Sequence, residues 1–270
     1  MKKILFPTDF SDTARQAFQY TLQLAKALEA QVHLLHVYQL PFIHSEGVAP
    51  EQYRQLLDDL EIKMEEKLVD FLKENGLEGS TMGKKAIYGL FVSREITDYA
   101  ALEEMDLIVM GTKSKHNVME KWLGSVTTTT MMHATCPVLA IPADAIYEPI
   151  EHIAYASDFK PTDQHAVSQL MTFAKQLGAQ VHFLHVETQP DIGQMKDRVV
   201  VNDFPFESME FVLINSPSVL EGVNQYIEEK NIKLMALFIP RRRLWERLFH
   251  QSFSKKMAFH SHIPLLSFHA

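Results

Sequence analysis

The strongest constraint on this chain is an internal duplication. Residues 25–37, AKALEAQVHLLHV, return as residues 174–186, AKQLGAQVHFLHV, with ten of thirteen positions identical at a constant offset of 149. Asp9-Phe10 maps onto Asp158-Phe159 at the same offset. Farther along the offset becomes 127: Val92, Ile96 and Tyr99 match Val219, Val223 and Tyr226, and His133 and Pro137 match His260 and Pro264. The smaller offset gives the second copy a shorter middle. It lacks a counterpart to the full helix expected over Glu51–Leu77 and carries a loop-like stretch, Asp191–Pro205. Two copies of one domain are therefore expected, residues 1–146 and 147–270. Pro142 and Pro149 bracket the linker between them.

Within the first copy, short apolar runs alternate with helical periodicity. Lys3–Phe6, Val32–Val37, Lys85–Tyr88, Leu107–Met110 and Val138–Ile141 read as strands. The stretch after Phe10 has apolar residues at Ala14, Ala17, Phe18, Leu24, Ala25 and Leu28, a helical spacing. Glu51–Leu77 places Leu57, Leu60, Met64, Leu68 and Phe71 on one stripe, and Ser93–Glu104 forms a further helix. Strands alternating with helices define an α/β unit with an open parallel sheet, right-handed crossovers and helices on both faces.

Composition narrows the function. A formal charge of −8 argues against a general nucleic-acid binder. The acidity sits mainly in residues 1–147, with 14 Lys/Arg against 20 Asp/Glu; residues 148–270 carry 12 against 14. One cysteine, Cys136, excludes an intramolecular disulfide framework and fits a reducing cytoplasm. No apolar run is long enough to span a bilayer, and MKKILFPTDF is too short in its apolar part for a signal peptide. A cytoplasmic location without a membrane partner is the expectation.

Chemistry concentrates in Leu107–Pro142, LIVMGTKSKHNVMEKWLGSVTTTTMMHATCPVLAIP. Gly111 ends a strand, which lets a ligand approach the backbone. A polar loop from Lys113 to Asn117 follows, then Gly124-Ser125 at a helix start, with Ser125 as the expected N-cap. Such a start offers free N–H groups and the positive end of a helix dipole, a setting for phosphate. It is not a Walker A loop: the nearest match, Gly79–Lys84, is one residue short and lacks the Ser/Thr.

Taken together, PTDFS after the first strand, a second strand ending in HV, MG-x2-S-x9-GSVT and CPVL resemble the universal stress protein family, over nearly the whole chain as two tandem domains. That resemblance implies a five-stranded, mostly parallel, Rossmann-like fold and, for many members, ATP binding, with or without Mg²⁺. It implies that Thr8 and Asp9 lie at the ligand, Asp9 on the ribose, and that the Val37 backbone meets adenine. Met110, Gly111 and Ser114 would line the ribose and phosphates; Gly124, Ser125, Val126 and Thr127 would hold the phosphates. Ser114 replaces the second motif glycine. In the second copy Gly111 maps onto Phe238, Ser114 onto Arg241 and Gly124 onto Gln251, so that domain is expected to be degenerate and nucleotide-free.

Plainer readings compete at several residues. Asp9 serves equally as a helix-capping acid. His33 and His36, like His182 and His185, are three apart in a strand, so each pair faces opposite sides and shares no metal; core or interface histidines are expected. Cys136 is expected to be a small buried hydrophobe. Residues 241–256, beginning Arg241-Arg242-Arg243, carry +5 and read as a solvated face or an anion-binding stretch. No nucleophile elbow, HExxH or paired-cysteine motif occurs, so the leading expectation is a non-catalytic sensor or regulator that binds adenine nucleotide. A scaffold that binds none and a slow or self-phosphorylating ATPase are the rivals. Each copy ends in an apolar strand, Val138–Ile141 and Leu265–Phe268. The family implies dimers through this strand, hence a pseudo-two-fold pairing of the two domains, with a homodimer as a further assembly.

Overall fold

A computed structural model describes residues 1–40, 50–112, 124–156, 164–188, 209–239 and 263–269. The chain forms two compact units that change over between Tyr147 and Glu148. Ser114, Asp158, Phe159, Gln251, Asp191–Pro205 and the basic stretch from Arg241 lie outside the described residues.

In the first unit the order is β1 (Lys3–Pro7), α1 (Asp12–Leu28), β2 (Gln31–Tyr38), α2 (Pro50–Glu74), β3 (Gly83–Tyr88), α3 (Val92–Leu102), β4 (Leu107–Gly111), α4 (Ser125–His133) and β5 (Val138–Ile141). The strands lie β3-β2-β1-β4-β5, and every pairing is parallel. Runs such as Ile4-Leu5-Phe6 and Leu107–Val109 are fully buried because helices cover both faces, which is why they read as continuous apolar stretches. Phe6, Phe18 and Phe71 meet at ring-centroid distances near 5 Å and join α1 and α2 to one face of the sheet. On the same face, Arg15 of α1 pairs with Glu74 of α2 at 3.0 Å. The third helix packs against α4. Because the chain moves outward from β1 to β3 and then returns to β4, the strand order reverses between β1 and β4. In an open α/β sheet that reversal leaves a crevice at the strands' carboxyl ends.

The second unit is ordered β6 (His152–Ala156), α5 (Gln164–Leu177), β7 (Gln180–Glu187), β8 (Met209–Asn215), α6 (Val219–Glu229), β9 (Leu234–Ile239) and β10 (Leu265–His269). Its strands run β10-β9-β6-β7-β8, again all parallel and in the same arrangement as the first unit. Single hydrogen bonds repeat at the two offsets. Gln31 N donates to Lys2 O as Gln180 N donates to Glu151 O, and Ile108 N donates to Pro137 O as Met235 N donates to Pro264 O.

Boundaries shift slightly from the sequence reading. The third strand starts at Gly83, two residues before the expected Lys85. Its first residue pairs with His33 of β2, so the ladder takes in residues that carry no apolar signal. The second helix stops at Glu74, where Asn75 and Gly76 close its last turn on Phe71 and Lys73 and Gly76 takes φ +77°.

Candidate functional site

Where β1 and β4 part, a cavity of about 390 Å³ opens at the carboxyl end of the sheet. The first wall is the turn after β1. Thr8 N donates to Leu35 O at 2.8 Å, the last rung between β1 and β2. The chain then folds on itself: Phe10 N donates to Thr8 Oγ1 and Ser11 N to Asp9 Oδ1, each at 3.0 Å. These short side-chain turns are what Thr and Asp provide. They hold Phe10 at φ +63°, a left-handed conformation that costs a non-glycine residue roughly 1–2 kcal/mol. Its ring sits 4.4 Å from that of His36 and 5.9 Å from that of Phe71, which offsets the strain. Ser11 caps α1, its Oγ accepting from Ala14 N at 3.2 Å. The cap is therefore Ser11 and not Asp9, which lines the cavity.

The second wall is the end of β2. Residues in a parallel strand alternate the side to which their N–H and C=O point. Leu35 turns toward β1, and Tyr38 O accepts from Gly89 N on the β3 side, so Val37 turns toward β1. The first strand has already ended there, at Pro7. The backbone donor and acceptor of Val37 thus face the cavity beyond the last rung. His36 lines the same wall and was expected only as a core or interface residue. Its Nδ1 lies 2.8 Å from Thr8 O, and a carbonyl only accepts, so Nδ1 carries a proton. Burial chiefly lowers its pKa; the Thr8 carbonyl and Asp9 oppose that, and Lys67 adds to it. The ring is neutral at pH 7, with Nε2 a hydrogen-bond acceptor.

The third wall is β4 and the start of α4. Met110, Gly111 and Thr112 border the cavity from the strand end. Opposite them lie Gly124, Ser125, Val126 and Thr127. The N-cap is Gly124, with φ −57° and ψ 154°, rather than the expected Ser125, and as a glycine it has no side chain to cap the helix. The first helical N–H groups consequently lack intrahelical acceptors and carry the positive end of the dipole. Thr127 Oγ1 donates to Gly111 O at 3.4 Å, a long bond that links the helix start to the strand end. Thr112 is 3% exposed, and its hydroxyl has no hydrogen-bond partner.

Gly111 also has a packing reason to be a glycine. A Cβ there would lie 3.1 Å from Thr13 O and 3.2 Å from the Ala17 Cβ, so the glycine lets α1 pack closely on β4. All nine of the ten expected site residues that lie among the described residues line this cavity. Sequence reasoning missed Thr112 and His36 as wall residues. The signal for Thr112 was its place directly after Gly111; for His36 it was its place directly before Val37. Among the described residues no cluster of three or more His, Cys, Asp or Glu could hold a metal, and no helix is long and apolar enough to cross a membrane. Cys136 is buried, which pushes its thiol up to about 12 and leaves it inert.

Fold and cavity define an open α/β protein with a crevice at its topological switch point, apolar along one side and rich in backbone donors at the other. The sequence pattern of the universal stress protein family matches residues 1–142, and the chain belongs to that family. Universal stress protein MJ0531 of Methanocaldococcus jannaschii is 32% identical over 152 residues, covering 52% of this chain and 81% of that protein. Universal stress protein MJ0577 of the same organism is 31% identical over 152 residues, covering 52% and 94%. Among solved structures, a universal stress protein from Archaeoglobus fulgidus aligns with a TM-score of 0.65 and 18% identity, over 98% of this chain and 95% of that one. This last likeness extends the shared fold over the whole chain.

Proposed function

We propose that the first unit binds an adenine nucleotide, ATP above all, and that the protein acts as a non-catalytic sensor or regulator in a stress response. The observation that carries this reading is the polarity of the cavity. At one end the backbone N–H and C=O of Val37 lie past the end of β1, a donor and an acceptor of the kind that the edge of an adenine needs. At the other end the uncapped start of α4 presents N–H groups to an anion. Between them Ile96 and Val92 supply an apolar side for a planar base, and Asp9 stands at the rim to accept from ribose hydroxyls. The cavity, about 390 Å³, lies in the size range of small-molecule sites.

When bound, the nucleotide supplies a charge and a shape that a partner can read. This chain's residues orient it: Val37 selects the base edge, Asp9 fixes the sugar, and Gly124 to Thr127 hold the phosphates. Titration of the full chain with ATP by calorimetry tests the reading. Saturable binding is expected, with GTP much weaker because its base edge reverses the donor and acceptor pattern. A flat titration with ATP overturns the proposal.

A further inference from the structure

One imidazole grips the residues on both sides of Asp9. His36 Nδ1 donates to Thr8 O at 2.8 Å, the carbonyl of the peptide that leads into Asp9. The same ring lies 4.4 Å from that of Phe10, the residue that follows Asp9. Phe10 takes φ +63°, a conformation that a non-glycine residue keeps only where its surroundings impose it. Asp9 itself is exposed in the cavity wall, and its Oδ1 accepts from Ser11 N at 3.0 Å. Packing does not call for a histidine at this place: Val32 and Leu34, which share its face of β2, are apolar and buried. Nor does the carbonyl require one. Pro7 stands in register with Leu35, so a parallel ladder carried one rung further would give Thr8 O the Val37 N–H. We infer that His36 is a positioning residue of this site: its Nδ1–H bond fixes the Thr8–Asp9 peptide and so holds the Asp9 carboxylate for the sugar hydroxyls of the nucleotide. A carboxylate that can swing away loses the orientation on which such a contact depends.

This inference rests on the nucleotide reading and deepens it, because it ties the preference for a ribose sugar to a residue of the neighbouring strand. The test compares the full chain with His36→Phe, which keeps a ring against Phe10 but has no donor, and His36→Asn, whose amide nitrogen stands where Nδ1 does. The calorimetric probes are ATP and 2′,3′-dideoxy-ATP, which lacks the sugar hydroxyls. The parent is expected to prefer ATP. His36→Phe is expected to weaken ATP about tenfold and leave dideoxy-ATP unchanged, while His36→Asn keeps the preference. Equal ATP affinity of the parent and His36→Phe overturns the inference and leaves the nucleotide reading intact, as does an asparagine variant no better than phenylalanine. A parallel loss for both nucleotides, or a phenylalanine variant that is unfolded without ligand, assigns the bond a structural part and also overturns it. A parent that binds both nucleotides equally removes the sugar contact, and the inference with it, but not the nucleotide reading. No ATP binding by the parent removes both readings together.

Discussion

Gly111 and Gly124 both border the cavity, but different forces keep each of them a glycine. At Gly111 an added methyl points into the first turn of α1, 3.1 Å from a backbone oxygen that cannot turn away. Overpacking of this kind costs about 1–3 kcal/mol. Gly111→Val is therefore expected to lower stability by that order in urea unfolding, whether or not ligand is present. Gly124 sits at φ −57° and ψ 154°, open to every residue, so the backbone tolerates a side chain there. Its constraint comes from the ligand side, where a branched side chain stands over the N–H groups of α4. Gly124→Val is expected to keep stability within about 1 kcal/mol while ATP affinity falls more than tenfold. Equal ATP binding by parent and variant in calorimetry would show that no phosphate sits at α4.

At the level of elements, two features lend themselves to measurement. Ser11 caps α1, whose first turn forms part of the cavity wall, so Ser11→Ala is expected to cost about 1 kcal/mol in urea unfolding. In the second unit, neighbouring strands join in a buried histidine cluster. His182 of β7 touches His152 of β6 at 3.0 Å through Nε2, while its Nδ1 faces the Tyr226 hydroxyl of α6 at 2.8 Å and Glu210 of β8 at 3.2 Å. The Tyr226 hydroxyl can donate or accept, so either tautomer of His182 satisfies both hydrogen bonds, with His152 taking the complementary role. Burial chiefly lowers the pKa of His182; Glu210 opposes this, and His152 and Lys230 add to it. Burial also pushes the Tyr226 hydroxyl up to about 12, so it stays protonated. With the folded pKa below the ordinary value near 6.5, the unfolded chain binds the proton first. Stability from this group is therefore complete above about pH 6.5 and declines as pH falls from there toward the folded pKa. His36 tilts stability the same way. Urea midpoints are expected to fall between pH 7.5 and 5.5, with a shallower fall in His182→Gln; an identical slope in the variant would remove His182 as the source.

Over the whole molecule, the legible part of the structure was what repeats. Both offsets read from the sequence turn out to be structural equivalences, since the same backbone bonds recur at Gln31 and Gln180 and at Ile108 and Met235. Apolar runs and helical stripes reveal strands and helices because burial acts on each residue separately. Thr112 and His36 were not legible as wall residues because their roles arise from register: one extends the β4–β5 ladder, and the other stands where β2 outruns β1. The same equivalence yields a stoichiometry. Gly111 pairs with Ile141 in the first unit, and Phe238 pairs with Phe268 at the matching rung of the second. A side chain of that size stands where the first unit needs none, and the sequence has no glycine after Gly222 to form a second phosphate-binding start. One nucleotide per chain is therefore expected. Calorimetry with an independently measured protein concentration should give one ATP per chain. Two equivalent sites would give the second unit a site of its own and overturn the stoichiometry.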